Sequence, residues 1–277
     1  MHTIAHIIHP VVTDPASDLV IAQPITFETM RQAREFSRHA ADVKLFAIQY
    51  HDEAPLPLPA CFIPVPALTR SVADIKTYKK RRKLALIKDI LDALFAAAGD
   101  ADYLIYTNVD IALQPYFYPY VSKIIDEGYD AFVINRRTIS DRYGTIAEIP
   151  LMCAEIGASH RGYDCFVFRR DAYPRFALGS ICIGTAWIGR ALLANLVTWS
   201  TRFKEFRDAH ATFHVGDSLA WRGGQYRDYA KENWREYLEI FNHLESEHGT
   251  FAPTWRSYLL DKGVNRQFPD FAGGTIL

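Results

Sequence analysis

The feature that most constrains the fold is an alternation of short apolar runs with longer amphipathic segments through the first half of the chain. Apolar runs of strand length lie at 3–12, 43–50, 103–106 and 131–135. Segments with helical spacing of their apolar residues separate these runs, at 26–41, 76–98 and 118–127. Such alternation predicts an α/β domain with a mainly parallel sheet and helices on both faces. In sheets of this kind, ligands bind beyond the carboxyl ends of the strands.

The second half of the chain alternates less regularly. We predict strands at 163–169 and 211–215 and helices at 187–199 and 233–243, and we interpret 136–161 as a long loop or a small excursion. The segment 218–277 is rich in aromatic residues, which build cores and interfaces more often than they stack on sugars. The expected organisation is one domain over 1–217, with 218–277 as a helical, aromatic extension packed on the same domain.

Charge and hydropathy exclude several classes of protein. The chain has 31 basic and 32 acidic residues and a formal net charge of −1, which argues against bulk binding of nucleic acid. Its apolar runs are shorter than the ~20 residues of a membrane span, and its first residues lack the basic start and cleavage site of a signal peptide. We therefore expect a cytoplasmic protein, with attachment to the inner face of the membrane as an alternative. The oligomeric state is not predicted.

The end of the predicted strand at 103–106 carries the first candidate for chemistry, because the apolar run is followed by Thr107-Asn108-Val109-Asp110. An aspartate at such a position either caps the next element or binds a hard divalent cation. Hard cations prefer carboxylate oxygen and keep waters or phosphate oxygens as further ligands. A cation held by Asp110 would neutralise a diphosphate leaving group.

This strand and the predicted helix before it resemble the centre of GT-A glycosyltransferases, which have a Rossmann-like fold. In that family the strand ends in Asp-x-Asp, and the last aspartate binds Mn²⁺ or Mg²⁺ together with the diphosphate of a nucleotide sugar. The resemblance therefore implies a divalent cation as cofactor, with Asp110 as its ligand. Asn108 stands where the family has its first aspartate; an amide can still hydrogen-bond the ribose or a metal-bound water, but it carries no charge.

Later residues extend the resemblance. His214 lies where the family often has a histidine as a further metal ligand, although a lone histidine is more often structural; Asp217 would orient it or bind the ion directly. Asp164 opens the predicted strand on the acceptor side, either as a turn residue or as the catalytic residue that contacts the acceptor hydroxyl. The predicted helix that begins near Trp187 has no carboxylate at its start, where many members of the family have one.

The donor side is implied partly by helix electrostatics and partly by family geometry. A predicted helix at 76–98 would place the basic run 79–83 near its amino-terminal end, where partial positive charge favours anions. We expect Arg82 or Lys83 to contact the donor diphosphate, while the rest of the run is a solvated face. Family geometry places three further residues near the base or ribose, namely Pro10, Val11 and Asp52.

The resulting hypothesis is a glycosyltransferase that moves a sugar from a nucleotide-diphosphate sugar to a carbohydrate or glycoconjugate acceptor. An inverting mechanism would use Asp164 as general base; a retaining one would use a leaving phosphate oxygen, with Asp164 positioning the acceptor. One alternative is a sugar nucleotidyltransferase, although His9-Pro10-Val11-Val12 offers no glycine-rich phosphate loop. Another is an inactive nucleotide- or carbohydrate-binding module. The donor nucleotide, the sugar and the acceptor are not predicted.

Overall fold

The computed structural model describes residues 1–160, 162–217 and 224–261. Its main sheet has the order β10-β6-β9-β4-β1-β2-β3, and a smaller sheet has the order β5-β11-β7-β8. In the main sheet β9 is antiparallel to both neighbours and the other pairings are parallel. In chain order the strands are β1 His2–Ile8, β2 Ala41–Ala47, β3 Phe62–Pro64, β4 Tyr103–Thr107, β5 Ala112–Leu113, β6 Ala131–Ile134, β7 Arg137–Ile139, β8 Ala158–Ser159, β9 Cys165–Arg169, β10 Phe203–Phe206 and β11 Thr212–Val215.

Helices cover both faces of the main sheet. They are α1 Leu19–Phe36, α2 Ile87–Ala97, α3 Phe117–Asp126, α4 Ile149–Ala154, α5 Ile188–Trp199, α6 Arg227–His248 and α7 Pro253–Leu260. One core lies between the sheet and α2, α5, α6 and α7, and it includes Leu91, Leu192 and Phe241. A second core lies between the opposite face and α1 and α3, and it includes Met30 and Val121. The predicted α/β class, with a mainly parallel sheet and helices on both faces, is confirmed.

The helix predicted over 76–98 is wrong in its first half, because α2 begins only at Ile87. Tertiary partners hold the preceding backbone in a non-helical form. The Tyr229 hydroxyl accepts a hydrogen bond from the Arg82 amide at 2.7 Å and donates one to the Lys80 carbonyl at 2.7 Å. The amide of Ile87 donates to the carbonyl of Ile181 at 3.0 Å, beside a bridge between Leu86 and Cys182. Backbone groups engaged in this way cannot form a helical ladder.

The helix predicted over 26–41 also has different bounds, because α1 begins at Leu19 and ends at Phe36. Thr26 is therefore not its amino-terminal cap but a fully buried residue in its interior. Pro24 lies inside the second turn of this helix, where its ring removes a single backbone donor. Buried Ala22 and Ile25 pack the turns on either side of it.

Of the two alternatives for the predicted segment 136–161, a long loop or a small excursion, the described part 136–160 forms the excursion, with β7, α4 and β8. Beyond 223, α6 and α7 bury Tyr237, Phe241 and Trp255 in the core of the α5 face. The interpretation of these aromatic residues as core therefore holds, while Trp221 lies outside the described residues. Among the helices of the described ranges, none combines the length and the apolar character that crossing a bilayer requires.

Candidate functional site

Polar residues gather at one edge of the main sheet. The parallel strands β1, β2, β4 and β6 all end there, and antiparallel β9 begins there. The predicted residues Pro10, Asp52, Asn108, Asp110 and Asp164 follow or precede these strand ends, so the topology places them along a common edge. Asp110 belongs to a metal-type pair, Asn108 and Asp164 belong to an acceptor-side network, and Asp52 lines a cavity beyond β2.

The metal-type pair consists of Asp110, in the turn after β4, and His214, in β11. His214 Nε2 lies 3.2 Å from Asp110 Oδ2, although the two residues are far apart in sequence. His214 Nδ1 lies 2.7 Å from the Gly216 carbonyl oxygen, which can only accept, so Nδ1 carries the hydrogen and Nε2 is directed at the carboxylate. The His214 side chain is 4% exposed and that of Asp110 is 26% exposed. The other Asp110 oxygen, Oδ1, is shielded from solvent and has no hydrogen-bond partner among the described residues.

Each member of this pair stabilises the charged form of the other. Burial acts to raise the pKa of Asp110, but the hydrogen bond and charge of His214, together with the charge of Arg136, lower it overall. Burial acts to lower the pKa of His214, but its hydrogen bond and charge interaction with Asp110 raise it overall. The carboxylate is thus held ionised, which is the form that binds a cation.

The acceptor-side network, named for the side on which we predicted Asp164, joins this residue to Asn108, which we predicted near the ribose or a metal-bound water. Asn108 Nδ2 donates to Asp164 Oδ1 at 3.2 Å, and the Tyr106 hydroxyl donates to Asn108 Oδ1 at 3.2 Å. Arg136 donates to Asp164 Oδ2 at 3.1 Å, and both side chains of this pair are 9% exposed. Both oxygens of the Asp164 carboxylate are therefore engaged by donors.

Arg136 links this network to the loop after β11. Its second terminal nitrogen lies 3.5 Å from Asp217 Oδ1, and its Nε has no hydrogen-bond partner in the described ranges. Burial and the Arg136 charge lower the pKa of the nearby His160, against the opposite influence of Asp164 and Asp217. Its neighbour Arg137 faces elsewhere and donates to the carbonyls of 156 and 157 in the excursion. Of the two arginines after β6, Arg136 therefore belongs to the site.

A cavity of about 400 Å³ lies beyond the end of β2. Its lining includes Tyr50, Asp52, Arg70, Arg81 and Lys83. Lys83 forms an ion pair with Asp52, so two residues that we predicted separately on the donor side contact each other. Hydrogen bonding to Lys83 lowers the pKa of the Asp52 carboxyl against a smaller effect of burial.

The remaining donor-side predictions divide. Val11 is held by the buried side chain of Gln23, which accepts from its amide at 2.8 Å and donates to its carbonyl at 3.0 Å, and Pro10 is buried beside it. Arg82 points away from the cavity: it donates to Gln225 at 2.8 Å and its guanidinium lies 4.5 Å from the centre of the Tyr226 ring. The structure therefore places Lys83, and not Arg82, beside Asp52.

The start of α5 has no carboxylate, in agreement with the sequence. Trp187 caps this helix in the left-handed region, with φ +80°, and its ring centre lies 4.3 Å from that of Trp234. Asn233 of α6 fixes the preceding loop, since it donates to the carbonyls of Cys182 and Ala186 at 2.8 and 2.9 Å. The extension beyond 223 therefore helps to shape this side of the site.

Sequence reasoning missed a buried carboxylate near the acceptor-side network. Glu205, one residue before the end of β10, accepts from Asn135 Nδ2 at 2.7 Å and from Arg207 Nε at 3.0 Å. Burial raises its pKa against the opposite effects of Arg207 and Asn135. The four residues of β10 read Phe-Lys-Glu-Phe, without the period-2 alternation that marks a strand, so no signal was available.

No protein-family model matches the chain, and no curated protein matches it significantly. Among solved structures, residues 1–349 of TarS from S. aureus with UDP-GlcNAc give a TM-score of 0.48 at 7% identity, over 89% of this chain and 73% of that one. The same protein with UDP gives 0.43 at 9% identity, over 95% and 76%. A Desulfovibrio desulfuricans G20 protein, provisionally assigned as a nucleotide-diphospho-sugar transferase, gives 0.41 at 12% identity, over 86% and 97%. At such scores and identities, the function has to be argued from the residues of the site.

Proposed function

We propose that this chain transfers a glycosyl group from a nucleotide-diphosphate sugar to a carbohydrate or glycoconjugate acceptor, assisted by a divalent cation. The observation that carries the proposal is the meeting of Asp110 and His214 at 3.2 Å, with Asp110 Oδ1 shielded and unpartnered. A carboxylate and an imidazole at the carboxyl edge of a mainly parallel sheet form a suitable anchor for a cation that also binds phosphate.

The donor set fits Mn²⁺ or Mg²⁺ bound partly by its substrate. In the described residues no three His, Cys, Asp or Glu side chains are grouped to hold a metal, so the protein would supply two ligands, Asp110 and His214. Diphosphate oxygens and waters would complete the coordination. Because Nδ1 carries the hydrogen bonded to Gly216, Nε2 is the nitrogen that would bind the cation, which would displace the proton shared with Asp110. When bound, the cation would supply charge neutralisation of the diphosphate leaving group.

The residues of the chain divide the remaining work. Asp52 and Lys83, beyond β2, would bind the nucleoside and the diphosphate. In the reaction the acceptor hydroxyl oxygen bonds to the anomeric carbon, and the bond from that carbon to the phosphate oxygen breaks with its electron pair leaving on the nucleoside diphosphate. The hydroxyl proton would pass to an oxygen of the departing diphosphate. Arg136 and Asn108 already engage both oxygens of Asp164, so this carboxylate is better suited to position the acceptor hydroxyl than to remove its proton.

The experiment is calorimetric titration of nucleoside diphosphates with and without Mn²⁺. Wild type should bind one of them more tightly with Mn²⁺, and Asp110→Ala should abolish this tightening because a charged metal ligand is lost. The control is Asp171→Ala, which removes an exposed carboxylate paired with Arg169. If Asp110→Ala keeps the Mn²⁺ effect, the cation is not bound here.

An inactive nucleotide-binding module is the second candidate. Two observations favour it: Asn108 is uncharged where the family has an aspartate, and Asp164 is neutralised by Arg136. Release of free sugar from a panel of nucleotide sugars, measured with and without acceptor extracts, separates the two. Binding without any turnover would support the module, whereas metal-dependent turnover would support the transferase. Release of pyrophosphate from a nucleoside triphosphate and a sugar phosphate would instead indicate a nucleotidyltransferase.

A further inference from the structure

Lys83 lies between an acidic partner and an aromatic ring at the mouth of the cavity beyond β2. Its ammonium contacts the Asp52 carboxylate and lies 3.4 Å from Glu53 Oε1. The same ammonium lies 4.0 Å from the centre of the Tyr50 ring. Lys83 itself is 37% exposed, whereas Tyr50 is only 3% exposed. Lys83 therefore covers one face of Tyr50 and neutralises Asp52 in this structure.

The covered ring has the properties of a surface for a nucleobase. The Tyr50 ring also meets the His9 ring edge-on, with the ring centres 5.6 Å apart. His9 is neutral at ordinary pH, because burial lowers its pKa to about 4, against the hydrogen bond to Ile48 and with a smaller lowering effect of Lys83. The Tyr50 hydroxyl is shielded and has no hydrogen-bond partner in the described ranges. An aromatic face with a nearby unpartnered hydroxyl, beside a cavity of about 400 Å³, suits a flat heterocycle.

We propose that Lys83 changes partners when the donor binds: a nucleobase replaces it over Tyr50, Asp52 turns to the ribose, and Lys83 follows the diphosphate. Lys83 is then the residue that makes the site select nucleoside diphosphates over nucleosides. This inference rests on the proposed function, since it assumes a nucleotide donor in this cavity.

The effect of this change of partners on affinity follows from the exposure and the charge of the groups involved. A partly exposed lysine–carboxylate pair is worth little, so separating it costs a nucleoside at most about fivefold in affinity. A diphosphate gives the freed ammonium a more highly charged partner, and such charge-assisted bonds correspond to about 10- to 100-fold in affinity. A nucleoside therefore loses affinity by displacing Lys83, and it has no diphosphate to restore that affinity.

The test compares two substitutions by calorimetry at fixed ionic strength. Lys83→Met keeps an apolar cover on Tyr50 and removes the charge, whereas Lys83→Ala removes both. The probes are uridine, cytidine, guanosine and adenosine with their diphosphates, and the base that wild type binds best is used for the variants. Both variants should bind the diphosphate about 10- to 100-fold more weakly relative to the nucleoside. Lys83→Ala should bind the nucleoside more tightly than Lys83→Met does, because Tyr50 is uncovered.

Lys88→Met is the matched control, since Lys88 is a similarly exposed lysine paired with Asp92 on the surface of α2. It should leave both affinities unchanged. An unchanged ratio of diphosphate to nucleoside affinity in the Lys83 variants would overturn the inference. An equal loss for both ligands would also overturn it, because Lys83 would then only maintain the shape of the cavity. If wild type binds none of the diphosphates, with or without Mn²⁺, the proposed function fails instead.

Discussion

Because two histidines are buried, we predict that acid destabilises this protein. Substitution of one of them should remove its share of the effect. His6, in β1, is fully buried, with Nε2 2.9 Å from Thr107 Oγ1 and Nδ1 2.9 Å from the Tyr118 hydroxyl. These bonds suit a neutral imidazole, which has one donor and one acceptor. Burial lowers the pKa of His6 to about 3, and His9 shares this behaviour. Since Thr107 directly precedes Asn108, His6 also supports the strand end that carries Asp110.

The sign and size follow from the difference between the folded and unfolded pKa values. Below the ordinary histidine pKa of about 6.5, His6 is protonated in the unfolded chain but remains neutral in the folded protein. The free energy of unfolding therefore falls as the pH falls. For a folded pKa of about 3, lowering the pH from about 7 to about 5 should cost about 2 kcal/mol. His9 should add a similar amount, because its folded pKa of about 4 also lies below this range.

The assay is urea unfolding of wild type and His6→Gln at both pH values, with free energies extrapolated to water. Glutamine does not titrate, so the acid-dependent loss should be smaller in the variant by about 2 kcal/mol. A constant destabilisation from altered packing cancels, because the comparison is between pH values within each protein. His39→Gln, at an exposed histidine, should behave as wild type does. Equal acid sensitivity of wild type and His6→Gln would refute the reasoning.

Two further predictions concern the acceptor side and the loop before α5. Asp164→Asn should lower transfer at least ~10²-fold with donor affinity nearly unchanged, because a misplaced acceptor hydroxyl costs a rate of this order. Product formation and calorimetry measure the two quantities, and a normal rate would remove Asp164 from the mechanism. Asn233→Ala should lower the free energy of unfolding by roughly 3 kcal/mol, because the backbone groups of Cys182 and Ala186 lose their buried partner. The control for urea unfolding is Glu239→Ala on the exposed face of α6, and an equal effect there would contradict this role for Asn233.

The strands of the first half were predictable because a buried parallel strand leaves a clear trace in sequence. The residues of β4 are all buried, so Tyr103–Thr107 reads as a short apolar run. Asp110 stands out against that run, and the pairing of distant His214 with it agrees with the order of motifs that the sequence suggested. Strand ends were placed within about four residues, as expected when the fraying of an element depends on its neighbours.

Other parts of the site depend on partners that local pattern cannot supply. Glu205 lies beside Asn135 because β10 pairs with β6, and the sequence pattern does not show this pairing. The interpretation of Tyr50 as part of the cavity depends on its contact with Lys83, which comes from another part of the chain. Whether a carboxylate such as Asp164 is free or paired with Arg136 is equally a tertiary fact. Such contacts join residues from distant parts of the chain, so no local periodicity encodes them.

The start of α2 at Ile87, later than we predicted, determines which residues of the basic run 79–83 reach the cavity. A helix through the basic run would turn successive side chains by about 100°. The structure instead has bends at 79–80 and a tight turn around Lys83, in which the Leu84 amide donates to the Arg82 carbonyl at 3.1 Å. Arg81 and Lys83 accordingly line the cavity, while Arg82 between them contacts Gln225 and Tyr226. Because the Tyr229 hydroxyl of α6 bonds to the backbone of both Lys80 and Arg82, α6 helps to keep this segment out of a helix and Lys83 beside Asp52. Through Tyr229, α6 thereby helps to position a residue of the cavity lining.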